Sequence, residues 1–163
     1  MDDFVRQGLK SMFCHVVDCA TDNSIKVLKK DERAVIPTKA HPEDIGYDLT
    51  LIALEKKVSE KIDMYDTGLV VKPPPGYYIE IVPRSSFGKS GYVLPNSIGI
   101  IDPQYRGTLK VMVMRVDESV PHFELPYRGF QLVLRRAEQN TKIEEVDSLD
   151  STVRGEGGFG SSG

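Results

Sequence analysis

The sequence predicts an all-β domain, a sandwich or barrel, with an N-terminal extension and a flexible glycine-rich C-terminal arm. Three observations carry this. Apolar runs are short, rich in β-branched and aromatic residues, and several alternate with period two; Pro- and Gly-bearing turns separate them; helical spacing occurs once, near the N-terminus. With 163 residues, 40% of them hydrophobic, the chain can bury a core without metals or disulfides. No internal repeat, heptad register or linker divides it. The expected organisation is an extension over residues 1–23, a β core over 24–150 and an arm over 151–163.

In chain order, Val5, Leu9 and Met12 recur at i, i+4 and i+7 behind Asp2 and Asp3, which can cap a short helix. Lys26, Lys29, Lys30 and Arg33 read as a solvated face. In residues 40–49 a Pro and a Gly precede a strand and leave Asp48 at its start. Pro73-Pro74-Pro75-Gly76 reads as a stiff turn, and residues 77–82 as the strand behind it. That strand stops at Pro83, followed by Arg84, Ser85 and Ser86; a short helical turn beginning at the serines offers free N–H groups to an anion. Residues 94–107 are hairpin-like and end in Asp102 and, three residues on, Tyr105. Residues 108–116 and 130–134 read as further strands, the second growing out of the polar stretch Tyr127-Arg128-Gly129-Phe130-Gln131-Leu132.

The last ten residues, Arg154 to Gly163, hold five glycines, two serines, one arginine and one phenylalanine. Glycines let backbone amides approach a phosphate, an arginine supplies bidentate charge, and a ring without a local core offers its face to a flat ligand. Taken alone, such a tail also describes a flexible terminus. A net charge of −3 gives no global attraction for nucleic acid, so phosphate recognition has to come from a few placed arginines and amides, which favours a small ligand. Cys14 and Cys19 are the only cysteines, and the start Met-Asp-Asp-Phe-Val-Arg lacks the basic and apolar regions of a signal peptide; an intracellular, reducing location is expected, cytoplasmic and also nuclear, or a host cell if the source is viral. No apolar run approaches a membrane span. Cys14, His15 and Cys19 are an incomplete metal set, and His41 and His122 stand alone.

Five polar, glycine-bearing islands interrupt the β pattern: residues 40–49, 83–91, 94–107, 127–132 and the tail. In this order and spacing they resemble the five motifs of the homotrimeric dUTP pyrophosphatases, the dUTPases, from about Ile25 to Gly163. The resemblance implies a distorted jelly-roll β-sandwich that forms a homotrimer with shared active sites. One chain would supply Asp48, Arg84, Ser85, Ser86 and Gln131, a second residues 96–105, and a third the tail.

The activity implied is hydrolysis of dUTP to dUMP and pyrophosphate, by attack of water on the α-phosphorus. Asp102 is then the general base, a role worth about 10²- to 10⁴-fold. Arg84, Ser85, Ser86, Arg154 and tail amides belong with the triphosphate, Gln131, Gly160, Ser161 and Ser162 bind the substrate, and Mg²⁺ is expected on the triphosphate oxygens with Asp48 reaching it through water. Asn96, Ser97, Ile98, Gly99 and Ile101 read uracil, Tyr105 packs under the deoxyribose, and Phe159 stacks on the base. Pro126 and Phe130 stand where many members carry glycine and alanine, so a large ring has to be accommodated beside Gln131. Ser162 replaces a common threonine. Two other functions fit less of the sequence: a dCTP deaminase relative, and a regulatory module that binds dUTP as a signal.

Overall fold

Backbone pairing, dictated by the alternating apolar runs, builds ten strands and one 3₁₀ helix in the computed structural model, which describes residues 22–158. The strands are β1 (Lys26–Lys29), β2 (Gly46–Leu51), β3 (Ala53–Lys57), β4 (Ile62–Asp66), β5 (Leu69–Lys72), β6 (Tyr77–Pro83), β7 (Tyr92–Val93), β8 (Gly99–Ile101), β9 (Lys110–Arg115) and β10 (Tyr127–Arg136). The 3₁₀ helix, Ser85–Lys89, lies between β6 and β7. The helix expected near Val5, the Cys14-His15-Cys19 group, and Phe159, Gly160, Ser161 and Ser162 lie outside the described residues.

Two antiparallel four-stranded sheets, ordered β2-β10-β6-β8 and β3-β4-β9-β7, share one hydrophobic cluster, and β1 pairs with β5 in a separate ribbon. Neighbours in these sheets are mostly distant in sequence, the crossover wiring of Greek-key and jelly-roll proteins. The core draws Leu49, Leu51, Ile79, Ile81 and Leu132 from the first sheet, and Tyr65, Val111 and Val113 from the second. Lys26, Lys29, Lys30 and Arg33 are exposed, as a solvated face requires. Pro75 and Gly76 form the turn into β6: Tyr77 N–H donates to the Pro74 carbonyl at 3.2 Å, and Gly76 takes φ +79°, which glycine adopts freely.

Phe130 shows how the fourth island solves its packing problem. The ring points inward, fully buried, 4.7 Å from the ring of Phe87. Period two then turns the next residue, Gln131, to the opposite face of the sheet, where it is half-buried. A ring at 130 and an outward amide at 131 are thus compatible.

Residues 94–101 correct an expectation. They are not a hairpin, because β7 pairs with β9 in one sheet while β8 pairs with β6 in the other. Pro95 has no N–H to give a ladder, and Ser97 takes φ +61°, closing a tight reversal in which Ile98 N–H donates to the Asn96 carbonyl at 2.6 Å. The chain crosses between sheets there.

Candidate active site

Asp48 is the third residue of β2 rather than its start, and its backbone is fixed on both sides. Its N–H donates to the Thr38 carbonyl at 2.7 Å, and across the strand it faces Gln131 of β10. Its carboxylate is held by two guanidiniums, Arg84 Nε at 2.8 Å on Oδ1 and Arg128 Nη1 at 3.1 Å on Oδ2. Arg84 is held in turn by Gly129, whose carbonyl accepts its backbone N–H at 2.9 Å. Two positive charges face one negative charge, and Arg128 is 61% exposed, so the cluster keeps a net positive charge toward solvent.

Arg84 also occupies the N-cap position of the 3₁₀ helix, where no side chain caps the turn. The backbone N–H groups of Ser85 and Ser86, in the first turn, have no acceptor within the helix. Both hydroxyls are exposed, while buried Phe87 anchors the turn to the core. Gln131 completes the group, its side chain lying over Gly46. A Cβ built on Gly46 would stand 2.6 Å from Gln131 Cδ and closer still to Oε1. Guanidinium, amide and hydroxyl groups of this kind, carried on neighbouring strands and the turn that follows Arg84, are donors of the type that bind anions.

A second group sits around β8. Among the described residues this strand ends its sheet, so one edge pairs with β6 and the other has no strand beside it. Asn96 leans over the reversal, Nδ2 donating to the Ile98 carbonyl at 3.4 Å. Beyond β8, Asp102 opens a turn closed by Tyr105 N–H at 3.0 Å, with Pro103 at the position its fixed φ suits. Asp102 is exposed, and the Tyr105 hydroxyl donates to the Thr108 carbonyl at 3.1 Å.

Arg154 forms a third group. Its Nε donates to the Gly157 carbonyl at 2.9 Å, so the start of the arm turns back on itself. Among the described residues no side-chain hydrogen bond or ion pair joins the three groups. One chain therefore brings together Asp48, Arg84, Ser85, Ser86 and Gln131. It keeps Asn96 to Tyr105 as a separate cluster, and Arg154 as another.

A family model described as dUTPase matches residues 32–163. The chain belongs to the dUTPase family. It is 40% identical over 116 residues to a deoxyuridine 5'-triphosphate nucleotidohydrolase of Escherichia phage T5, covering 71% of this chain and 75% of that one. A protein of the same name from Arabidopsis thaliana is 36% identical over 148 residues, 90% of this chain and 87% of its own. Among solved structures, the Staphylococcus bacteriophage 80alpha dUTPase with dUpNHpp superposes with a TM-score of 0.66 at 24% identity, over 86% of this chain and 99% of that one. A mutant dUTPase of phage phi11 of S. aureus, described with a structural Mg(II) ion, aligns with a TM-score of 0.63 at 19% identity, over 79% and 100%. These structures share the fold, which is the all-β architecture expected of the sequence.

The donor set bears on magnesium. Among the described residues no cluster of three or more His, Cys, Asp or Glu could hold a metal ion unaided. Asp48 is the carboxylate nearest the anion donors, and a carboxylate has more lone pairs than the two its arginines use. That arrangement fits Mg²⁺, which dehydrates reluctantly and is held by few carboxylates, waters and substrate phosphates.

Arg128 was not singled out in the sequence. It stands in the fourth island, and its part is electrostatic: it supplies a second countercharge to Asp48, a largely buried carboxylate whose other partner is Arg84.

Proposed function

We propose that this dUTPase-family chain is a hydrolase that converts dUTP to dUMP and pyrophosphate, by water attack on the α-phosphorus. The observation that carries the reading is the cluster around Asp48, where Arg84 is bound to its carboxylate at 2.8 Å, Gln131 faces it across the strand, and the first-turn amides of Ser85 and Ser86 follow Arg84 directly. The T5 and Arabidopsis relatives are named for this reaction.

Arg84, the serines and Gln131 bind and orient the triphosphate, and Arg154, Gly160, Ser161 and Ser162 close on it from the arm. Asp102 takes the proton of the attacking water, worth about 10²- to 10⁴-fold. Enzymes commonly reach about 10⁶-fold or more, so charge stabilisation by the arginines and amides supplies much of the rest. Mg²⁺, when bound, neutralises charge on the triphosphate, and Asp48 is the residue that would hold one of its waters. The free edge of β8, from Gly99 to Ile101, pairs with the uracil edge together with Ser97, Ile98 and the Asn96 amide. Cytosine would leave donors and acceptors unpaired there. Tyr105 packs under the deoxyribose and Phe159 stacks on the base.

Since no side-chain hydrogen bond or ion pair joins the three groups among the described residues, we take the working unit to be a homotrimer in which each chain contributes one group to each site. The test is pyrophosphate release from dUTP, UTP, dCTP and dTTP, with and without Mg²⁺, by the wild type and by Asp102→Asn. Mg²⁺-dependent release confined to dUTP and lost in Asp102→Asn is expected. Ammonia from dCTP would point to a deaminase, and tight dUTP binding without turnover to a signalling module.

A further inference from the structure

We infer that Gly107 is a specificity-determining positioning residue, whose missing side chain seats the Tyr105 ring as the gate against ribose. This rests on the reading that Tyr105 packs under the deoxyribose. A Cβ built on Gly107 would stand 2.5 Å from Tyr105 Cζ and 3.1 Å from Cε2, with the hydroxyl oxygen closer still. Carbon atoms in contact sit about 3.5–4.0 Å apart. The tyrosine therefore lies directly over a residue that can carry no side chain.

The ring cannot yield at its tip alone. A phenol is rigid and turns on two torsions, so clearing a methyl at 107 means swinging the whole ring and breaking the hydroxyl's bond to the Thr108 carbonyl, 3.1 Å. The backbone offers no relief either. Tyr105 N–H is bound to the Asp102 carbonyl at 3.0 Å, and the Tyr105 carbonyl accepts from Arg106 Nη1 at 2.7 Å.

Glycine at 107 is not required by its own backbone. The positive-φ glycines of the described residues are Gly68, Gly76, Gly91 and Gly155, and Gly107 is not one of them. The three nearest atoms that an alanine Cβ there would meet all belong to the tyrosine. The ring also has somewhere to go, because Tyr105 is 42% exposed. Gly107→Ala should fold and present Tyr105 in a different place.

The test is kcat/KM for dUTP, UTP and dCTP on wild type, Tyr105→Ala, Gly107→Ala and the double variant, with circular dichroism to establish folding. Tyr105→Ala should lower the preference for dUTP over UTP about 10- to 100-fold, the scale on which a pocket wall rejects one hydroxyl. Gly107→Ala should lower it comparably, the double variant should do no worse than Tyr105→Ala, and the preference for dUTP over dCTP should hold in all three. A folded Gly107→Ala with wild-type preference overturns the assignment, as does a double variant whose losses multiply. If Gly107→Ala unfolds while the double variant folds, Gly107 is a folding residue and the assignment also fails. An unchanged preference in folded Tyr105→Ala removes the tyrosine from the sugar, and the role of Gly107 with it.

Discussion

Replacing Phe130 by alanine should cost this protein much of its stability. The ring is fully buried, 4.7 Å from Phe87; Phe87 lies 6.4 Å from Tyr127, and Tyr127 stacks on Phe123 at 4.4 Å. Phe→Ala in a core costs about 3–5 kcal/mol, with the higher values where the cavity cannot collapse. Here β10 is paired on both sides, Phe130 facing Leu49 of β2 and Pro83 of β6, so the backbone cannot close the gap. The expected loss is about 4 kcal/mol, against the roughly 5–15 kcal/mol that separates folded from unfolded domains. Urea unfolding followed by circular dichroism, at one fixed protein concentration, reads it directly. Phe87→Ala should cost a similar amount, and the double variant should fall short of the sum by about 0.5–1.5 kcal/mol because the two rings touch each other. A loss below about 1.5 kcal/mol for Phe130→Ala would refute the packing described here.

Two further outcomes are expected. Gly46→Ala puts a methyl where the Gln131 amide now rests, 2.6 Å from Cδ, and should lower kcat/KM for dUTP about 10- to 150-fold, the value of one hydrogen bond to a charged group; steady-state kinetics in which Gly46→Ala matches wild type would take Gln131 off the phosphate. Glu80 accepts from Arg135 Nε at 2.9 Å and from the Tyr78 hydroxyl at 2.8 Å, and these bonds hold its carboxyl below the ordinary 4.5. A depressed folded pKa means the unfolded chain binds the extra proton, so the stabilisation is complete above pH 4.5 and disappears as pH falls through the folded value. Urea midpoints of Glu80→Gln and wild type should therefore differ at pH 7 and converge in acid, and a difference constant with pH would show that Glu80 does not act through its charge.

The long strands were legible because their residues alternate: residues 77–82 and 108–116 read as strands, and the structure buries Ile79, Ile81, Val111 and Val113 on their inner faces. The terminus of β6 and the 3₁₀ turn at Ser85 followed from Pro83 and the paired serines. What was hidden depends on long-range contact. Arg128 reaches Asp48 across 80 residues of sequence, and no local pattern announces such a pair. The reversal at Ser97 was misread as a hairpin because turn residues between apolar stretches do not say which sheet each arm will join. Gly46 and Gly107 escaped notice for a related reason. A glycine's purpose is visible only when the side chain lying over it is known.

The shortness of β8 has a consequence of its own. An open sheet edge invites any extended chain to add itself, and proteins defend such edges by shortening them or ending them in proline. Here three residues, Gly99–Ile101, are followed closely by Pro103 and preceded by the reversal at Ser97 and by Pro95. A passing peptide strand finds too few rungs to hold. On the reading proposed above, a pyrimidine needs only two or three, so the shortness that turns a peptide strand away still admits a single base.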